Sequence, residues 1–170
     1  MNLVEGINAV SEIVKRCITS EMVENGILED VKTFVPSFRL DEPFEEPVVW
    51  LFEHETTVVP GGNGALSKQV FLQTPFEFVC CVYDENDTEK SEINGKDLAG
   101  RVATAIGKNY NRITVNGNQL SSKPIIQSIA PVGAVSVEGT SDEAVLTSVT
   151  IILQYYVNWW ICCTNNNNND

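Results

Sequence analysis

The sequence has 170 residues, 43% of them apolar and 20% charged, which suits one soluble globular domain able to bury a core without staples. Acidic side chains outnumber basic ones 23 to 11, a net charge of −12, so the chain lacks the basic footprint that nucleic-acid binding requires. No apolar run approaches the ~18 residues of a membrane span, and no basic segment leads into an apolar one at the N-terminus, so neither a membrane protein nor a signal peptide is expected.

In chain order, Leu3, Ile7, Val10, Val14 and Cys17 recur at spacings of three and four and predict an amphipathic helix over 3–18. The pattern can extend to Asn25, where Asn25-Gly26 offers a stop. Pro36, Pro43 and Pro47 mark residues 30–47 as a loop with a short strand near Thr33–Val35. A strand is expected over 47–59, buried on both faces in its first half and exposed in its second. The run Pro60, Gly61, Gly62, Asn63, Gly64, Ala65, Leu66 then predicts a flexible tip. From Ser67 to Tyr83 a second strand places Phe76, Phe78, Cys80 and Val82 on one face. Pro75 interrupts it and suggests a bend or an edge position. Together the two strands predict a long antiparallel hairpin.

Asp84–Ser91 is expected to be a charged turn, and Leu98, Val102, Ala105 and Ile106 form the apolar stripe of a helix from about Asn94 to Asn109. Asn116-Gly117 between short apolar arms is a hairpin signal. Pro124–Val132 predicts a short strand and Gly133–Asp142 a loop or a second excursion. The last strand puts Val145, Val149, Ile151, Leu153, Tyr155, Val157, Trp159 and Ile161 on one face, with Ser148, Thr150, Gln154 and Asn158 on the other. The sum is a single α+β domain over 1–163, with two helices on a mostly antiparallel sheet, followed by an Asn-rich tail over 164–170.

Residue chemistry offers little to a catalytic reading. His54 is the one histidine, and Glu53 and Glu55 beside it on an extended segment face away from it. The Gly61–Gly64 loop lacks the lysine and hydroxyl residue of a phosphate loop. Glu85, Asp87, Glu89 and Glu92 lack the glycine and spacing of a calcium loop, and acids here suit a helix N-terminus. Cys17, Cys80, Cys81, Cys162 and Cys163 have no paired metal-ligand spacing, and they read as reduced and mostly buried. No cofactor or metal is therefore expected. Most strand aromatics suit a core, but Tyr156 and Trp160 fall on the more polar face of the last strand, where aromatic side chains commonly anchor an interface.

One further feature is the order of elements. An amphipathic helix ends near Asn25-Gly26, and a Pro-rich stretch enters Pro47-Val-Val-Trp-Leu-Phe. A hairpin with a glycine tip ends in Phe76-Glu-Phe-Val-Cys-Cys-Val-Tyr-Asp, and a helix containing Asp97-Leu-Ala-Gly-Arg-Val-Ala-Thr-Ala-Ile precedes a long closing strand. Over about residues 3–160 this pattern resembles the tail terminator, or tail completion, proteins of tailed bacterial and archaeal viruses. The resemblance implies a virion protein near the neck, assembled in the host cytoplasm. It implies a ring of copies, usually six, that caps the tail tube, stops its polymerisation and meets the neck or connector protein, while DNA passes through without specific binding. It implies no catalytic residue. On that reading Tyr156 and Trp160 are candidates for the subunit seam, residues 60–66 for contact with a neighbouring ring, and Glu53 and Glu55 for the channel wall. The Cys-Cys and Asn-rich C-terminus falls outside the family pattern. Rival readings are a neck protein or tail tube subunit and, in a different class, a small ligand-binding domain or enzyme.

Overall fold

The computed structural model describes residues 3–37, 44–60, 69–83, 87–110, 114–115, 118–119, 124–136 and 143–158. In chain order the elements are α1 (Leu3–Thr19), β1 (Thr33–Val35), β2 (Val48–Glu53), β3 (Thr57–Val58), β4 (Gln69–Cys81), α2 (Thr88–Asn109), β5 (Thr114–Val115), β6 (Asn118–Gln119), β7 (Ile125–Ser136) and β8 (Glu143–Asn158). One sheet runs β1-β2-β4-β8-β7, with β3 also paired to β4. Every pairing in it is antiparallel except β1 with β2, so the α+β expectation with a mostly antiparallel sheet and two helices is met. Around the predicted Asn-Gly turn, β5 and β6 form a separate small hairpin.

Both helices cover one face of the sheet. Val10, Val14, Cys17 and Ile18 of α1 and Leu98, Val102, Ala105 and Ile106 of α2 meet Phe76, Phe78 and Cys80 of β4 and Val149, Ile151, Leu153 and Val157 of β8. These are the apolar stripes that spacing predicts, and each fully buried large side chain contributes roughly 1.5–3 kcal/mol of transfer free energy. Close approach is built in with glycine. A Cβ on Gly6 would come within 2.7 Å of a Val157 methyl, and one on Gly95 within 2.9 Å of Thr147 Oγ1. On the opposite face, Val48, Trp50, Val79, Cys81, Ala144 and Leu146 form a smaller cluster, with Phe44 edge-on to Trp50 at 4.9 Å.

Several boundaries differ from the sequence expectations for identifiable reasons. Helix α1 stops at Thr19 rather than reaching Asn25, and Asn25-Gly26 closes a later turn. Asn25 has φ 65°, Gly26 N–H donates to Val23 O, and a Cβ on Gly26 would lie 2.1 Å from Glu21 O. Helix α2 begins at Thr88, not near Asn94, because Asp87 caps it by accepting from Lys90 N–H at 2.9 Å. Its polar first turns conceal the start, since Ile93 there is exposed. The single strand expected over 47–59 is broken into β2 and β3. Strand β7 continues through Gly133 to Ser136 instead of ending at Val132, and β-bulge-like register shifts at Gln127 and Val132 carry it on.

Pro75 is neither a bend nor an edge. It lies inside β4, an inner strand, yet opposite the gap between β2 and β3, where its carbonyl accepts from His54 N–H at 3.0 Å. A strand residue points its N–H and C=O to the same side, so the missing N–H faces that gap and the ladder to β8 is undisturbed.

Two polar clamps join the turn after α1 to α2. Glu21, buried, accepts from Asn109 Nδ2 and Lys108 Nζ, each at 3.0 Å, and these contacts hold its carboxyl below the ordinary range. Arg101 donates to both carboxylate oxygens of Asp30, to Ile27 O and to Asp97, and the guanidinium lowers the Asp30 pKa.

Candidate functional site

The helix-free face of the sheet carries one of the residues that the sequence singles out, Tyr156. Its lower end holds a cross-strand pair, Phe71 of β4 against Tyr156 of β8. Both rings are half-buried and stack at 4.6 Å with planes 23° apart. Beside them Gln154 Nε2 donates to Gln73 Oε1 at 3.4 Å, two pairs further along the same two strands and so on the same face. Tyr156 thus lies on the face opposite the helices, as its position in the alternation predicts, and its partner is an aromatic ring rather than solvent alone. Trp160 lies outside the described residues. Of the predicted tip, Pro60 is exposed in the turn after β3, and Gly61, Gly62, Asn63, Gly64, Ala65 and Leu66 lie outside the described residues.

Glu53 and Glu55 are both exposed, Glu53 at the last position of β2 and Glu55 in the link to β3. His54 between them is exposed too, as expected, but it has a partner that no local pattern announces. Its Nε2 lies 2.9 Å from Glu77 Oε2, and the other Glu77 oxygen accepts from Ser148 Oγ at 2.6 Å. The register that sets Phe52 opposite Glu77 and Glu77 opposite Thr150 brings these three side chains together from β4, β8 and the end of β2. The order is Ser–Glu–His. A nucleophilic serine needs the imidazole next to it as base and the carboxylate behind the imidazole. Here the carboxylate is the shared acceptor, so the chain orders three strands' side chains and does not activate Ser148.

Other reactive groups are sealed. Cys80 lies in the main core and Cys81 in the smaller cluster, on opposite faces as adjacent strand residues must be. Cys17 is a reduced thiol, buried like both of them. Burial pushes the Cys80 thiol up strongly, and burial together with the Glu46 carboxylate pushes Cys81 up to about 12, so neither presents a thiolate at neutral pH. Tyr155 is buried and its hydroxyl lies 2.7 Å from Thr74 Oγ1, which is itself 2.7 Å from Thr56 Oγ1. Desolvation raises the Tyr155 pKa. Among the described residues no group of three or more His, Cys, Asp or Glu could hold a metal, and no helix is long and apolar enough to cross a membrane.

The strand expected at Pro124–Val132 is present as β7, and what the sequence did not reveal is its exposure at the edge. It is the last strand of the sheet, and all of it is exposed except the half-buried Val135. Ile125, Ile126, Ile129 and Val132 are large apolar side chains left in solvent. A shallow groove runs between it and α2, lined by Ala103, Gly107, Tyr110, Pro124, Ile126 and Ile151. A signal for the edge did exist in Pro131, since proline within a strand favours an edge. No protein-family model matches this sequence, and no curated protein matches it either.

Proposed function

We propose that this chain is a virion assembly protein of the tail terminator kind, which forms a ring on the end of the tail tube, stops tube growth and joins the tail to the neck or connector. The observation that carries the reading is the one-sided sheet: two helices seal one face, while the lower part of the other presents the half-buried Phe71–Tyr156 pair without a covering layer among the described residues. Aromatic anchors on a helix-free face suit docking to protein, and the element order is the one that the resemblance to tail terminators implies. Among the described residues no acid–base set converges on His54, which fits an action by shape rather than by chemistry.

The mechanism is geometric. A ring closes when one patch of a subunit meets a different patch of the next and the rotation returns to its start. One face then matches the tube and the other does not match a further tube subunit, so growth stops. Tyr156 stands at the seam in this scheme. Glu53 and Glu55, exposed at the open end of β2, supply like charge to a channel that DNA crosses without being gripped.

Light scattering after size exclusion, with negative-stain imaging, tests the proposal. Closed rings of the purified chain, or rings formed when tube protein is added, are the expected result. Open tubes would move the assignment to a tube subunit. A chain indifferent to every tail and neck protein would sink the virion reading and reopen that of a small ligand-binding domain.

A further inference from the structure

Strand β7 is a long uncharged strip on a highly charged molecule. Its 12 residues include no Asp, Glu, Lys or Arg, in a chain of net charge −12. One side of its backbone pairs with β8, and the other pairs with no strand among the described residues. Ile125, Ile126, Ile129 and Val132 are 45%, 53%, 43% and 53% exposed. Free ladder groups flanked by apolar side chains form a template for another strand.

We propose that β7 pairs in antiparallel fashion with β7 of a second copy of this chain, about a two-fold axis at Ala130, joining two sheets into one. Charge selects the occupant first. A basic partner would gain on the acidic surface and finds nothing to complement along β7. A second copy is repelled wherever the surface is acidic, and it meets least repulsion along the strip that carries no charge.

Register selects it independently. Pairing with β8 places Ile126, Ile129, Pro131 and Ala134 on the helix-bearing face and Ile125, Ser128, Ala130, Gly133 and Val135 on the other, with the irregularities at Gln127 and Val132. Reversing the strand about Ala130 sets Ile129 against Pro131 of the copy, Ile126 against Ala134 and Ile125 against Val135, each on a matching face. Sliding by one residue would set helix-face side chains against outer-face ones. Moving the axis to Ile129 keeps the faces but shortens the paired stretch from Ile125–Val135 to Ile125–Gly133. The pair also closes on itself. Among the described residues, the remaining edges of the joined sheet are the two copies of β1, only 3 residues long and followed by Pro36, and of β3, only 2 residues long, both poor templates for further strands. A two-fold pair has identical halves, so it is a state of the free chain and does not rest on the ring reading.

The test uses the full chain. Residues on such an axis have Cα atoms about 4.5–5.5 Å apart, within disulfide reach. Mild oxidation of Ala130→Cys is expected to give a covalent dimer in which peptide mass spectrometry joins position 130 to position 130. Sedimentation equilibrium of the native chain is expected to show a dimer. Ile129→Lys sets like charges beside the axis and is expected to weaken that dimer at least about tenfold, with the circular dichroism spectrum unchanged. A native chain that stays monomeric throughout overturns the proposal. So does an oligomer that Ile129→Lys leaves intact and in which position 130 is never joined to itself. Rings without the 130–130 link overturn β7 pairing and leave the tail reading standing. The link in a chain that forms no ring supports β7 pairing and counts against the tail reading.

Discussion

β7 and β8 are neighbours in one sheet, antiparallel, similar in length and both rich in Val and Ile. Their fates differ completely. Strand β8 lies between β4 and β7 and under α2, and its alternate residues Val149, Ile151, Leu153, Tyr155 and Val157 are buried. Strand β7 has one ladder instead of two and meets α2 only across a shallow groove, so side chains of the same kind stay in water. Burial here comes from position in the sheet, not from side-chain type. The core face of β8 is where stability concentrates, and the edge of β7 is where the molecule has surface to spare for contact.

The sharpest way to break this contrast is to empty the core beneath the helices. Phe78 lies opposite Val149 and is fully buried, so Phe78→Ala is expected to lower stability by about 3–5 kcal/mol in denaturant unfolding. A loss near 1 kcal/mol would mean that the helix layer is not packed on β8 as described.

Smaller is the clamp at Glu21. Asn109 first, and Lys108 after it, hold this carboxyl below its ordinary value of 4.5. A depressed carboxyl stabilises the fold fully above its unfolded value and loses that contribution as pH falls through the folded value. Glu21→Gln is therefore expected to unfold more easily than the native chain by about 1–2 kcal/mol at neutral pH, with the gap closing as pH is lowered below about 4.5. A gap independent of pH would assign the role to packing alone.

Thr147 sharpens the comparison from the opposite direction. It sits on the buried face of β8 against Gly95, and its hydroxyl has no hydrogen-bond partner among the described residues. Thr147→Val keeps the shape and removes that unpaired group, so a gain of about 1 kcal/mol in unfolding free energy is expected. Weakest of all is Ile129→Ser on β7. In dilute solution, where any dimer is dissociated, it is expected to shift stability by no more than about 0.5 kcal/mol. A larger drop would show that β7 contributes to the core after all.

Much of the fold was legible because its signals are local. Leu98, Val102, Ala105 and Ile106 announce the buried stripe of α2 by their spacing, and Phe76, Phe78 and Cys80 announce one face of β4 by alternation. The start of α2 was hidden because capping by Asp87 creates a helix turn that buries almost nothing apolar. Pro75 misled for a related reason. Whether its missing N–H matters depends on what lies across from it, and there β2 has ended and β3 has not begun. The candidate surfaces were legible only in part. Tyr156 could be placed on the helix-free face from its parity, but not its stacking on Phe71, which comes from a strand far away in the chain. His54 could be read as exposed, but Glu77 and Ser148 reach it only through the β4–β8 register.

Local spacing suffices for the main helices and strands, their faces and the net charge, since periods of 2 and 3.6 and a count of ionisable groups are properties of neighbouring residues. Which strand is central, which is an edge, and which carboxylate meets Arg101, Lys108 or His54 across the chain follow from the folded arrangement alone. Those choices are set by long-range pairing, in which every strand competes for the same ladder bonds and two helices can cover only part of a sheet. That competition buries β8 and leaves β7 with one side open.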